Sequence, residues 1–159
     1  MFGHFTENGT EAHMLKPLLL VAVMTTLLAG AQFASASDSP VGKWSSVDDK
    51  SGKVESEIEL YEQGDKLFGK ITSLTEPNSQ DGKPKTCTKC AAPETGQPIV
   101  GLVILRDLSL SGNRYKGGTI LDPKDGKVYK AEVWVQDGKL KVRGYRGALY
   151  RTQTWVKAN

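Results

Sequence analysis

Between Val41 and Val156 apolar residues recur at every second position in short runs, and the runs are broken by clusters of Gly, Asp, Asn and Pro. A period of two belongs to a strand with one face on a core and the other in water. Residues 53–62 are the clearest case. Val54, Ser56, Ile58 and Leu60 share one face, and Glu55, Glu57 and Glu59 share the other. The same reading predicts strands at 41–47, 66–74, 99–105, 114–121, 128–135, 139–143 and 149–156, with residues 106–112 as a polar break. Gly69 marks a bend in the third strand. Asp48-Asp49-Lys50-Ser51-Gly52, Gln63-Gly64-Asp65, Asp122-Pro123-Lys124-Asp125-Gly126 and Gln136-Asp137-Gly138 supply turn chemistry between them. About eight short strands joined in series, with no convincing helix among them, predict an all-β fold. Sequential hairpins favour an up-and-down antiparallel β-barrel over a sandwich, because closure removes the edge strands. Such a barrel has room for packed side chains or for one small ligand. Gly42-Lys43-Trp44 opens the series, and Trp44 is expected to plug one end.

Residues 1–36 stand apart from that pattern. Lys16 precedes an apolar run over 17–29, followed by Ala34-Ser35-Ala36. This is the layout of a Sec-type signal peptide, with cleavage expected after Ala36 and a periplasmic or secreted product. Glu7 and Glu11 suit such a signal poorly, so residues 1–13 read as a gene-model extension ahead of Met14. The run is short for a membrane span, and no later stretch approaches the required length. A retained N-terminal anchor is the competing reading. Residues 37–159 then form one domain with a single core.

Cleavage would leave twenty Lys and Arg against sixteen Asp and Glu, a net charge of +4. The signs alternate along the chain, without the basic block that nucleic acid demands. It would also remove His4 and His13, and Met1, Met14 and Met24, which are all the histidines and methionines of the chain. The remaining domain is left without the residues for Ser-His-Asp or Cys-His catalysis, a His-ligated metal or a Met-ligated copper.

The long segment 75–98 differs from the rest, with four prolines, Gly82 and Gly96, and both cysteines. Segments of this length are usually functional or mobile. Three chemistries are open to Cys87-Thr88-Lys89-Cys90: a short-range disulfide stapling the segment in an oxidising compartment, a redox-active pair helped by Lys85 and Lys89, or half of a zinc site completed by carboxylates or a second chain. Asp48-Asp49 and Asp122 with Asp125 offer carboxylate pairs of glycosidase type, but their Gly/Pro surroundings favour turn chemistry. If the barrel encloses a pocket, its inward faces should line it, with Ile58, Leu60, Ile71, Tyr129 and Val133 as the candidate contacts. Core packing explains the same residues.

Several motifs carry a resemblance. They are Gly42-Lys43-Trp44, Asp48-Asp49 with Gly52, Phe68-Gly69-Lys70-Ile71, Cys87-x-x-Cys90, Gln97-Pro98-Ile99-Val100-Gly101-Leu102, Gly117-Gly118-Thr119-Ile120 with Asp122-Pro123, Gly126-Lys127-Val128-Tyr129, Leu140-Lys141-Val142-Arg143-Gly144-Tyr145 and Arg151-Thr152-Gln153-Thr154-Trp155. Together and in this order they resemble the bacterial secreted family called domain of unknown function 2147. The resemblance implies a lipocalin-like (calycin) barrel and no established activity or cofactor. It departs at 147–151, shorter than the family's glycine-containing stretch, which bears on the register of the last hairpin. Lipocalin-like barrels commonly set a late Arg against the N-terminal Trp. Arg143 and Arg151 are the candidates, and Arg151 is expected because the last strand must meet the first.

Two functions of different class follow. One is a non-enzymatic envelope protein holding a small apolar or amphipathic ligand in its barrel. The other is a thiol-disulfide or redox-sensing protein working through an exposed Cys87–Cys90 pair. An interaction module with a filled barrel is a third.

Overall fold

The computed structural model describes residues 39–76, 79–80 and 83–158. The expected signal peptide and its cleavage site lie outside the described residues. Among the described residues ten strands form in chain order: β1 (Gly42–Val47), β2 (Val54–Gln63), β3 (Lys66–Leu74), β4 (Ser79–Gln80), β5 (Lys83–Pro84), β6 (Val103–Ser111), β7 (Arg114–Asp122), β8 (Lys127–Gln136), β9 (Lys139–Arg146) and β10 (Leu149–Lys157). Eight of them close an antiparallel barrel in the order β1-β10-β9-β8-β7-β6-β3-β2, and β4 with β5 makes a separate ribbon. Closure is complete within Gly42–Lys157, so residues 37–159 contain the whole barrel.

The alternation seen in the sequence sets the inward face. Ser56, Ile58 and Leu60 of β2 are buried between partly exposed Glu57 and Glu59. Leu67, Gly69 and Ile71 repeat the pattern on β3, and Leu140 and Val142 on β9. Turn residues set the register. Asp137 and Gly138 both take positive φ, 52° and 68°, as a two-residue hairpin of the primed type requires, and Gln136 pairs with Lys139 across it. The last hairpin is regular from Leu149↔Arg146 to Trp155↔Leu140.

The sixth strand differs from expectation. The apolar residues 99–102 belong to the connecting segment, and the supposed polar break is strand: β6 runs Val103–Ser111. Its Leu108 is fully buried. Two irregularities hid it. Asp107 takes φ 59°, and the chain opposite is Gly117-Gly118. A Cβ on Gly118 would overlap the Arg106 carbonyl oxygen and come within 2.7 Å of Leu108. Only glycine lets β7 pass β6 this closely.

Candidate functional site

Because the strands run up and down, the loops fall at two ends. One end holds the short turns β2–β3, β6–β7 and β8–β9, together with both ends of the barrel chain. Here Trp44 is completely buried. Its indole Nε1–H donates to the Pro40 carbonyl at 2.7 Å, so the large ring closes the barrel without leaving a polar atom unpaired. The cation over the ring is Lys157, whose Nζ lies 4.7 Å from the centroid. The β1–β10 register pairs Trp44 with Lys157. Arg151 lies six residues back along β10, about 20 Å away at 3.3 Å per residue. It stands at the opposite end, donating to Asp49 Oδ2 at 2.7 and 3.1 Å. The expected Trp44–Arg151 pair is therefore corrected. The last strand does meet the first, but its end supplies the cation. Arg143 is on the outer wall, against Trp134 and Tyr150.

Above Trp44 the closed half of the barrel is solid. Leu60, Leu67, Leu108, Val133 and Leu140 are each at most 1% exposed. The other half opens into a cup of about 1250 Å³. Ile58, Ile71, Val142 and Trp155 form its floor. Ser46, Ser56, Ile120, Tyr129, Gly144 and Gln153 line its walls. Of the sequence candidates, Ile58, Ile71 and Tyr129 line the cup, whereas Leu60 and Val133 belong to the packed half. Alternation identified the inward face of all five but not their height along the barrel axis.

The floor holds no charged side chain. Polarity enters on the wall, where the Ser46 and Ser56 hydroxyls lie 2.7 Å apart and the Gln153 amide oxygen accepts from Trp155 Nε1–H at 3.3 Å. Ser46 also approaches the Ser56 carbonyl at 3.3 Å. One hydroxyl must donate to the other, which leaves acceptor lone pairs at this point of the cup wall. Charges are confined to the rim, and several are paired: Arg151 with Asp49, Lys124 with Glu55, and Lys85 with Glu76.

The rim carboxylates serve their own turns. Asp48 Oδ1 accepts from the Ser51 amide at 2.7 Å, the Ser51 hydroxyl at 2.8 Å and the Lys50 amide at 3.2 Å. These bonds, the Ser51 amide first, hold its carboxyl below the ordinary range. Asp122 accepts from Lys124 N and Asp125 from Lys127 N, both at 2.9 Å. Burial works to raise the Asp125 carboxyl, but the Tyr129 hydroxyl at 2.6 Å and the Lys127 amide outweigh it and lower it. That same bond raises the Tyr129 phenol.

Residues 83–102, ahead of β6, flank the rim and are well tied down. Cys87 and Cys90 form a disulfide with Cα atoms 5.5 Å apart. Cys87 N donates to Gln97 O at 2.8 Å and Gly96 N to Cys87 O at 2.9 Å. Glu94 pairs with Arg106 of β6 at 2.6 Å. The β7–β8 turn packs so tightly beneath that a Cβ on Gly126 would overlap the Lys89 carbonyl. Both cysteines are buried in the main apolar cluster, at 0% and 5% exposure.

Residues 42–157 match the family model described as an uncharacterized protein conserved in bacteria, DUF2147. The chain belongs to the DUF2147 family. Among solved structures, this DUF2147 chain is similar to protein HP1028 from the human pathogen Helicobacter pylori, which belongs to the lipocalin family. The TM-score is 0.62 at 24% identity, over 75% of this chain and 82% of that one. At that identity the likeness is one of fold, and it agrees with the closed eight-strand barrel. No curated protein matches the chain.

Sequence reasoning missed Val142, Gly144, Gln153 and Trp155 of the cup, along with the Ser46–Ser56 pair. Val142 and Trp155 carried a usable signal. Counting back from the Asp137-Gly138 and Gly147-Ala148 turns gives the height of each inward residue. The serines looked like ordinary polar interruptions of a strand.

Proposed function

We propose that this protein is a non-enzymatic carrier or sensor that takes the apolar part of a small amphipathic molecule into the cup. One observation carries the reading: the barrel is filled at one end and hollow at the other. A barrel serving only as a packed scaffold has no need of an open half, and apolar cups with a few convergent polar groups are the usual form of small-molecule sites. The uncharged floor of Ile58, Ile71, Val142 and Trp155 suits an uncharged apolar group. The Ser46 and Ser56 hydroxyls and Gln153 offer hydrogen bonds to a neutral polar group partway along it.

Export to the envelope after loss of residues 1–36 belongs to the same proposal, supported by the apolar run and Ala34-Ser35-Ala36. The Cys87–Cys90 disulfide fits an oxidising compartment. The thiol-exchange alternative is less well served, because an attacking thiolate must be accessible and these sulfurs are buried.

The test is a titration of residues 37–159 with an uncharged naphthylamine dye, followed by dye emission and by tryptophan fluorescence of the parent against Trp155→Phe, the difference giving the Trp155 emission. Saturable one-to-one binding with a change in Trp155 emission is expected. Absence of saturation, or saturation with Trp155 unaffected, contradicts the reading.

A further inference from the structure

The lip of the cup is uneven. On the β1–β3 side the carboxylates are largely spent: Asp48 on its own turn, Asp49 on Arg151 of β10, Glu55 on Lys124 and Glu76 on Lys85. The β8–β10 side is different. Val128, Leu149 and Tyr150 are 59%, 75% and 61% exposed, three of the most exposed large apolar side chains of the described residues. The strand register sets Tyr150, Tyr145 and Lys130 in one row and pairs Leu149 with Arg146, and Val128 shares the adjoining groove with Tyr145 and Arg146. The Tyr145 and Tyr150 rings lie 6.0 Å apart. Alongside them is a shallow groove of about 500 Å³ lined by Lys127, Val128, Lys130, Tyr145 and Arg146. The acidic groups at this lip are Asp125, which is held by Tyr129 and lies 4.0 Å from Lys127, and Asp122, which pairs across the strands with Lys127 and accepts from the Lys124 amide. Lys130 and Arg146 make no ion pair among the described residues.

From this arrangement we infer that the β8–β10 lip docks on the surface of an anionic lipid bilayer. Exposed aliphatic and aromatic side chains ringed by Lys and Arg are the chemistry that enters a headgroup layer, apolar atoms reaching the acyl boundary and cations meeting anionic headgroups. A protein partner would have to cover the same apolar side chains, but the patch is continuous with the cup: Leu149 and Tyr150 line both. A bilayer is the occupant that both satisfies the patch and brings amphipathic molecules to the mouth. The inference adds a docking surface to the proposed function, and its charge-reversal test uses Lys127 and Lys130, which lie outside the cup, so the two fail separately.

The experiment is flotation of residues 37–159 with vesicles of phosphatidylglycerol and phosphatidylcholine, against phosphatidylcholine alone. Binding to the anionic vesicles is expected, falling with salt. Each surface cation contributes about five-fold in affinity, so Lys127→Glu/Lys130→Glu should weaken binding by well over ten-fold. That variant lies outside the cup, and its dye titration without vesicles should match the parent, which also shows that it folds. Val128→Ser/Leu149→Ser should weaken vesicle binding with the charges intact. No binding to anionic vesicles, equal binding to both vesicle types, or binding that survives the charge reversal each overturns the inference. A failed dye titration with intact vesicle binding would instead count against the cup.

Discussion

Two glycines on the barrel wall should respond to added side chains with opposite sign. Gly144 of β9 faces the cup. A Cβ there would sit 3.6 Å from Tyr129 Cβ and 3.7 Å from Ile120 Cγ2, ordinary contact distances, with the rest of the side chain directed into open space. In Gly144→Phe the ring should lie against Ile120 and Tyr129. A fully enclosed phenylalanine buries about 150–250 Å². Half of that, on the order of 100 Å², gives about 2.5 kcal/mol at 25 cal/mol per Å². Loss of glycine's unfolded-state freedom adds about 0.4–1 kcal/mol. These are upper figures, since an unfolded chain already buries some of this area. A net gain of about 1–3 kcal/mol should raise Tm by several degrees, while the ring takes up part of the cup wall and weakens dye binding. Gly118→Ala has no such space, because its Cβ would overlap the Arg106 carbonyl. It should cost about 1–3 kcal/mol or more. The assay is thermal melting with the dye titration on the same samples. If Gly144→Phe melts lower than the parent, or binds dye as well, the cup is not where this account places it.

Further outcomes follow from the two ends of the barrel. Trp44→Ala should cost about 3–5 kcal/mol and Lys157→Ala about 0.5–1 kcal/mol through the lost cation–π contact, whereas Arg151→Ala at the exposed rim should change stability by less than about 1 kcal/mol; denaturant melts rank the three. Cys87→Ala/Cys90→Ala should lower stability by about 2 kcal/mol, the chain-entropy value for so short a loop. In the parent, reductant and alkylating reagent should label the pair only when the protein is unfolded, which intact mass reads directly. The Tyr115 phenol is pushed up to about 12 by burial and by its 2.6 Å hydrogen bond to Glu62. Its proton is held more tightly in the folded state, so its contribution is complete below pH 10 and disappears as pH rises toward 12. Melts from pH 9 to 12 should therefore fall more steeply for the parent than for Tyr115→Phe.

The barrel was readable because period-two alternation and turn residues act locally. Glu55, Glu57 and Glu59 against Ile58 and Leu60 define a face wherever the strand ends up, and Asp137-Gly138 fixes a hairpin by its own backbone geometry. The sixth strand was not readable in the same way. Leu105 and Leu108 are both buried, three residues apart, because the irregularity at Asp107 breaks the alternation. Gly117-Gly118, opposite it on β7, is the close approach that accommodates it. The cup escaped for a geometric reason. Alternation separates inside from outside but is silent on depth, so Leu60 and Ile58 look alike although one is packed core and the other is floor. The Trp44 partner was missed similarly. Strand adjacency was foreseen, while the register that selects Lys157 over Arg151 depends on where β10 ends against β1.

The central claim is that the open half of the barrel holds a small amphipathic molecule. Native mass spectrometry of the protein isolated gently from its own cells, with Gly144→Phe prepared in parallel, is the measurement to make. An added mass that is lost on denaturation is expected on the parent, at reduced occupancy on Gly144→Phe. No added mass in either protein, or the same mass at equal occupancy on both, contradicts the claim.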